Sequence, residues 1–250
     1  MSIKLAFSRP TSISEEQTLL FEQYRTTGYD GLQLKWGQYS PYLNEPERFK
    51  EQWGHLSGVG SALIAGGSLD ETNVELLRSI YRFAAGIGTE MIVFCHGIAR
   101  ADVTADDIRR YADVLSELGL EAQQHGIKLS LHHHHNNPVM YREDFDIFYD
   151  RAKQGAVGLT VDTAHLVKSG VEDVAEIIRS FRPVIDNFHL KDFEQGEWKV
   201  LGHGAIPFDP IFQAIRDIGY SGWVSADEES GSGVLEGMQD CYAYMRNGLK

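Results

Sequence analysis

The stretch "IKLAFSRPTSISEE" (residues 3–16) decides between two architectures. Residues 3–8 read as a strand, and an open doubly wound sheet would follow its first strand with a glycine-rich turn that cradles phosphate. Here the strand runs into "SRPTSISEE", which holds neither GxGxxG nor GxxxxGK[ST]. Nucleotide binding at that turn is therefore not expected. Working outward, seven more short apolar runs alternate with longer segments of helical period: "GLQLK" (31–35), "VGSALIA" (59–65), "MIVFCH" (91–96), "KLSLHH" (128–133), "VGLTVD" (157–162), "NFHLKD" (187–192) and "GWVSADE" (222–228). Such alternation is how a parallel sheet wrapped by helices is written.

Eight β/α units in 250 residues fit an α/β fold of one (β/α)8 TIM barrel, occupying residues 1–250 as a single domain. No linker, low-complexity segment or charge block divides the chain. Ser68 with Glu71 forms a capping box ahead of a helix to about Ala85, and Thr104 with Asp107 does the same ahead of one ending near His125. In the second helix Ile108, Tyr111, Ala112, Leu115, Leu118 and Ala122 recur at spacings of three and four, an apolar face meant for the sheet. Gly28, Gly86 or Gly88, and Gly126 stand where helices should stop.

Composition narrows the partners. There are 23 basic and 36 acidic residues, a formal charge of −13, and the basic residues are scattered. That surface repels phosphate backbones and anionic membranes, so neither nucleic acid nor membrane is an expected partner. No apolar run reaches the roughly 18 residues of a spanning helix, and no signal peptide is read at the start. With only Cys95 and Cys241, a reducing, cytoplasmic location is expected. The partner implied is a small molecule, with a homo-oligomer possible.

A barrel places its chemistry at the C-terminal ends of its strands. Side chains alternate between faces along a strand. If Leu129 and Leu131 pack outward, Ser130, His132 and His134 face the axis, so of the run "HHHH" (132–135) at most two look into the site. His133 and His135 then face the helices or solvent. The same alternation turns Thr160 and Asp162 inward with His165 just beyond, Asn187, His189 and Lys191 inward with Asp192 at the mouth, and Asp227 inward beside Glu228 and Glu229. Strands five through eight thus each end in His, Asp or Glu. Carboxylates gathered in a desolvated pocket repel one another unless a cation or a shared proton relieves them. Imidazole and oxygen donors without thiolate suit one divalent metal ion, Mn, Co, Zn or Mg. Such an ion can chelate a carbonyl and a neighbouring hydroxyl of a sugar-like substrate and stabilise the enediolate formed when the adjacent carbon loses its proton. A flanking carboxylate or histidine would move that proton. Trp36, with Tyr39 and Tyr42, follows strand two, where they would form an aromatic wall for a sugar face or else pack in the core or loop, and His96 at the end of strand four is either a further substrate contact or a packed core residue.

The segments "VGLTVDTAHLVKSG" (157–170), "NFHLKDF" (187–193), "LGHGAIPFDPIF" (201–212) and "GYSGWVSADEES" (219–230) together resemble the xylose isomerase-like barrel superfamily of sugar phosphate isomerases and epimerases, in the branch that includes inosose dehydratase, hydroxypyruvate isomerase and ketose 3-epimerases. The resemblance covers residues 120–230 in motif and the whole chain in element order. It implies one divalent metal held by a Glu, an Asp, a His and a second Glu at the ends of four strands. Carried over, Asp162 takes the Asp position, His189 the His position, and His165 with Asp192 the supporting positions. The sequence departs twice. His132 ends strand five where the family commonly has Glu, and Asp227 with adjacent Glu228 ends strand eight. The histidine run resembles that of inosose dehydratase-like members, in which the strand-five acid comes from farther along, making Glu143 the alternative to His132. In "LGHGAIPF", His203 replaces the acid of the family's G-E-G-x-I-D-F loop and becomes a substrate contact.

The metal set expected is therefore Asp162, His189, Asp227 or Glu228, and His132 or Glu143. Lys191 and His165 would polarise substrate oxygens, while His134 or Glu228 would shuttle the proton. The resemblance implies a metal-dependent isomerase or epimerase of a keto-sugar or related small polyol, with a dehydratase or lyase of an inosose or keto-sugar as the alternative. A non-catalytic barrel acting as a binding protein is the competing class, and a DNA-repair endonuclease of the same superfamily a third.

Overall fold

The computed structural model describes residues 2–250. Its strands are β1 (Lys4–Ser8), β2 (Gly31–Leu34), β3 (Val59–Gly67), β4 (Met91–His96), β5 (Lys128–His132), β6 (Gly158–Asp162), β7 (Ile185–Leu190), β8 (Asp192–Glu194), β9 (Glu197–Lys199) and β10 (Trp223–Asp227). All but β8 and β9 form one closed parallel barrel, in which β10 pairs with both β1 and β7. The helices are α1 (Ser14–Thr27), α2 (Trp36–Tyr39), α3 (Pro46–Trp53), α4 (Glu71–Ile87), α5 (Ala105–Gln124), α6 (Arg142–Arg151), α7 (Thr163–Lys168), α8 (Val174–Ser180), α9 (Phe208–Asp217) and α10 (Val234–Gly248). Each strand sends alternate residues outward onto these helices and inward to the axis. None of the helices is long and apolar enough to cross a membrane.

The expected cap of α5 is present: the Thr104 hydroxyl accepts from the Asp107 N–H at 3.3 Å, and the Asp107 carboxylate accepts from the Thr104 N–H at 2.8 Å. All six residues of its apolar face are buried. The expected Ser68 cap of α4 is corrected. Asp70 holds that position, accepting from the Asn73 N–H at 3.0 Å, while Ser68 donates its hydroxyl to Asp70. A carboxylate there outcompetes the hydroxyl because it accepts a charge-assisted bond at the positive end of the helix. Gly86 does not end α4 but lies within it, where an added Cβ would stand 2.8 Å from the Pro46 ring of α3. Gly88 makes the stop, with φ of 79°.

The run 187–192, read as one strand, divides into two elements. β7 ends at Leu190, and Asp192 opens an antiparallel hairpin in which Phe193 faces Trp198. Its turn, Gln195-Gly196, has both residues at positive φ, 51° and 90°, as a two-residue hairpin requires. This hairpin brings Trp198 over the barrel mouth.

Candidate functional site

Asp162 ends β6 and caps α7. Its Oδ1 accepts from the N–H groups of Ala164 (3.1 Å) and His165 (3.0 Å), leaving Oδ2 to face the axis. There Oδ2 lies 3.3 Å from His132 Nε2, 3.9 Å from His189 Nδ1 and 4.0 Å from His165 Nε2. Asp227, at the end of β10, places Oδ2 at 4.0 Å from the same His189 Nδ1. His132, Asp162 and His165 form one group of donor atoms mutually within 4.8 Å, and Asp162, His189 and Asp227 form a second.

The protonation pattern of these histidines follows from their partners. Gln33 Oε1 lies 2.8 Å from His189 Nε2, and a carbonyl oxygen can only accept. The proton of His189 therefore sits on Nε2, and Nδ1 points a lone pair between the two carboxylates, buried and without a hydrogen-bond partner. Burial pushes the His189 imidazolium down to about 3, despite the opposing pull of Asp227, so the ring is neutral at ordinary pH. Burial also penalises ionised Asp162, yet His165, His132 and Lys191 outweigh it and hold the carboxyl well below the usual range. For Asp227 the cost of burial is overcome by Lys191 and Lys35.

The other two members of the histidine run behave differently. His133 faces the helices, edge-on to Phe145 at 5.1 Å, but its Nε2 accepts the backbone N–H of Asp162 at 2.9 Å, so it fixes the strand end that carries the carboxylate. His134 lies on the ring of His165 at 3.5 Å between centroids and donates from Nδ1 to the His135 carbonyl at 3.0 Å. Its Nε2 consequently carries a free lone pair at the partly open mouth, and burial lowers its basicity from the ordinary histidine range.

Lys191 and Lys35 stand on the far side of Asp227. Lys35 Nζ is 2.7 Å from Asp227 Oδ1 and 2.8 Å from Glu229, while Lys191 Nζ is 3.2 Å from Asp227 Oδ2 and also pairs with Glu229. Burial would discharge Lys191, but Asp227, Asp162 and Glu229 push its ammonium above the ordinary value. Trp198 covers it at 4.5 Å from the ring centroid. Lys35 and Gln33 escaped the sequence reading. The alternation applied to strands five through eight points both of them inward on strand two as well.

Several expected site residues are placed elsewhere. Glu143 is exposed in the first turn of α6, a position that favours an acid for the helix alone, and belongs to neither donor group. Glu228 belongs to neither donor group: its Oε2 meets Arg9 Nη1 at 2.9 Å in a buried pair, and its Oε1 accepts from the Ser230 N–H at 2.7 Å. Asp192 has no lone pair to spare for a substrate. It accepts from the N–H groups of Phe193 (2.8 Å), Gly202 (3.0 Å), Gly204 (2.9 Å) and Ile206 (3.2 Å), and so pins the glycine loop. His96 is buried edge-on to Tyr111 at 4.6 Å, its Nδ1 accepting from Ile98 N–H at 3.2 Å. Trp36 is 45% exposed, but Tyr39 and Tyr42 are buried in the core and form no wall. His203 is exposed on the pinned loop, in a depression shared with Trp198 and Glu229.

The family description "Xylose isomerase-like TIM barrel" matches residues 21–246. The chain belongs to that family. Among curated relatives, an inosose dehydratase of Clostridium perfringens is 28% identical over 153 residues, covering 54% of this chain and 51% of its own length. One of Lacticaseibacillus casei is 32% identical over 145 residues, covering 50% and 48%. The chain thus spans about half the length of the curated relatives it matches. Among solved structures, the IOLI protein with a binding zinc atom superposes with a TM-score of 0.83 at 20% identity, over 98% of both chains. L-ribulose 3-epimerase does so with 0.81 at 20%, over 100% of this chain and 95% of its own. At that identity the structural likeness speaks for the barrel fold.

Proposed function

We propose that the protein is a divalent-metal-dependent dehydratase of a small polyhydroxylated ketone, an inosose or a keto-sugar. Support for the metal is the donor set itself: a buried, unpartnered His189 Nδ1 aimed between Asp162 and Asp227, with His132 beside it. These four residues would hold the ion. An ion there supplies positive charge next to the substrate carbonyl and so acidifies the neighbouring C–H.

The observation that favours dehydration is the character of the remaining groups. Epimerisation by paired carboxylates needs two free acids flanking the substrate, but Glu143 is outside and Glu228 is tied to Arg9. What flanks the cluster is a neutral imidazole, His134 with Nε2 free, and a pair of ammonium groups, Lys191 and Lys35. The imidazole can take the proton next to the carbonyl, and an ammonium can give one to a departing hydroxyl. His165 supports His134 by ring contact, and Trp198 closes the space above both His165 and Lys191 against water.

The test is mass spectrometry of inososes and keto-sugars incubated with the protein and added Mn²⁺, Co²⁺ or Zn²⁺ in ²H₂O. Loss of one water from a ketone supports the proposal. Deuterium at carbon without loss of water would replace it by the isomerase or epimerase reading. Neither change in any substrate, with the ion bound, would favour a binding protein.

A further inference from the structure

A line of polar side chains runs down the barrel axis from His189 to the opposite, N-terminal end. His189 Nε2 meets Gln33 Oε1 at 2.8 Å, and Gln33 Nε2 donates to Asn187 Oδ1 at 2.9 Å. Asn187 Nδ2 donates to Thr160 Oγ1 at 3.3 Å, and Thr160 Oγ1 lies 2.7 Å from Ser130 Oγ. Ser130 Oγ meets Asp186 Oδ1 at 2.6 Å, where the column ends in a partly buried carboxylate at the foot of the barrel.

Proton counting fixes the direction of this column. A hydroxyl has one proton, so Ser130, giving its own to Asp186, must accept from Thr160, and Thr160 must accept from the Asn187 amide. The Asn187 carbonyl then takes the Gln33 N–H, and the Gln33 carbonyl is left to take the proton of His189. Along this chain the protons point from mouth to foot, except that the second Asn187 Nδ2 proton turns back to Gln33 Oε1 at 3.2 Å, closing a reciprocal amide pair that can turn over as a unit. Asp186 alone sets that sense, since an ionised carboxylate can only accept. Burial pushes its carboxyl up to about 6, which still leaves it ionised above neutrality. The fold makes room for it: Ser130 pairs with Gly158 across β5 and β6, and a Cβ on Gly158 would collide with the Asp186 carboxylate. With the acceptor gone, the column can reverse. Ser130 would donate to Thr160, both amides would turn over, and Gln33 would present N–H to His189, forcing the imidazole proton onto Nδ1.

We propose that Asp186 is a positioning residue for His189, orienting the column so that the imidazole carries its proton on Nε2 and offers Nδ1 as a lone pair to the site. The metal arm of the test rests on the metal-centre reading above, whereas the tautomer arm does not. In metal-free protein labelled with ¹⁵N-histidine, long-range ¹H–¹⁵N spectra, with His189 assigned by His189→Gln, should show the Nε2–H form in the wild type. Asp186→Ala and Ser130→Ala should each populate the Nδ1–H form, and Asp186→Asn, which keeps an acceptor oxygen, should restore the wild-type pattern. Zinc affinity, measured by competition with a chromophoric chelator, should fall about tenfold in each alanine variant, the lower end of what losing an outer partner of a ligating histidine costs. The double variant should be no weaker than either single one, because both cut the same chain.

An unchanged His189 tautomer and unchanged zinc affinity in folded alanine variants would overturn the proposal, as would a lower melting temperature with the tautomer unmoved. If Asp186→Ala does not fold, Ser130→Ala decides. Failure of the wild type to bind zinc would sink the metal reading and leave the tautomer spectra to judge the column.

Discussion

The inside of the barrel is divided lengthwise. Between β3 and β4 the inward residues Ala62, Ile64, Met91 and Val93 make an apolar cluster separate from the main core. On β2, β5, β6, β7 and β10 the corresponding residues are Gln33, Ser130, Thr160, Asn187 and Ser225, all buried. The apolar side needs only to be filled, whereas the polar side has to be satisfied bond by bond, since an unpaired buried polar group costs free energy. Above the polar side stand His132, Asp162, His189 and Asp227. The difference teaches that this half of the interior serves as a support for the groups above it, at the expense of the simpler packing that the other half keeps.

The largest effect that would break this division comes from the mouth. Asp162→Ala and His189→Ala should each take bound metal from stoichiometric to none by elemental analysis, while Val93→Ala should leave it in place. Metal retained in either of the first two would remove the functional meaning of the polar side. Next, Arg9→Ala strands Glu228 as a buried, uncompensated charge, and urea denaturation should show a loss of about 3 kcal/mol with little change in metal content. Inside the barrel, Gln33→Leu should cost about 2 kcal/mol because Asn187 and His189 lose a partner, against about 1 kcal/mol for Ile64→Val on the apolar side. Equal costs would mean that the polar network carries no particular burden.

A further effect concerns pH. In the fold His133 and His189 are held at about 3, against 6.5 for the ordinary imidazole, so below that value the unfolded chain binds protons that the folded one refuses. Stability of the metal-free protein should therefore fall as pH drops from about 6.5 toward 3. Asp186 opposes this: raised to about 6 from 3.8, it takes up a proton first in the fold. His165 and His134, also pushed down by burial, add to the two, so the histidines outweigh the one carboxyl and leave a net loss, visible as a lower melting temperature at pH 5 than at pH 7. A melting temperature that rises on acidification would show that these rings are not held neutral.

Much of this was legible in the sequence, because period two exposes which face a residue takes. Alternation alone turned His132, Asp162, His189 and Asp227 toward one axis, and the structure brings those four together. Alternation does not say what already occupies a side chain. Glu228 is held by Arg9 from the far end of the chain, and Asp192 by amides ten to fourteen residues later. Such partners come from closure of the barrel and from loop folding, neither of which has a local period. Alternation turns His133 toward the helices or solvent. It does face the helices, yet its ring nitrogen reaches the neighbouring strand and holds Asp162, a bond between strands that a single strand cannot reveal. The column escaped for the same reason, since its links alternate among β2, β5, β6 and β7.

The cap that Asp162 makes limits what its carboxylate can offer an ion. Its Oδ1 is committed to two N–H groups that start α7, so the carboxylate can offer only one oxygen without unravelling that helix. The residue is restricted to single-point denticity. Calcium, with its large radius and its demand for six to eight oxygens, would find too few here. Were an ion held here, this helix cap would weigh against one that needs many oxygens.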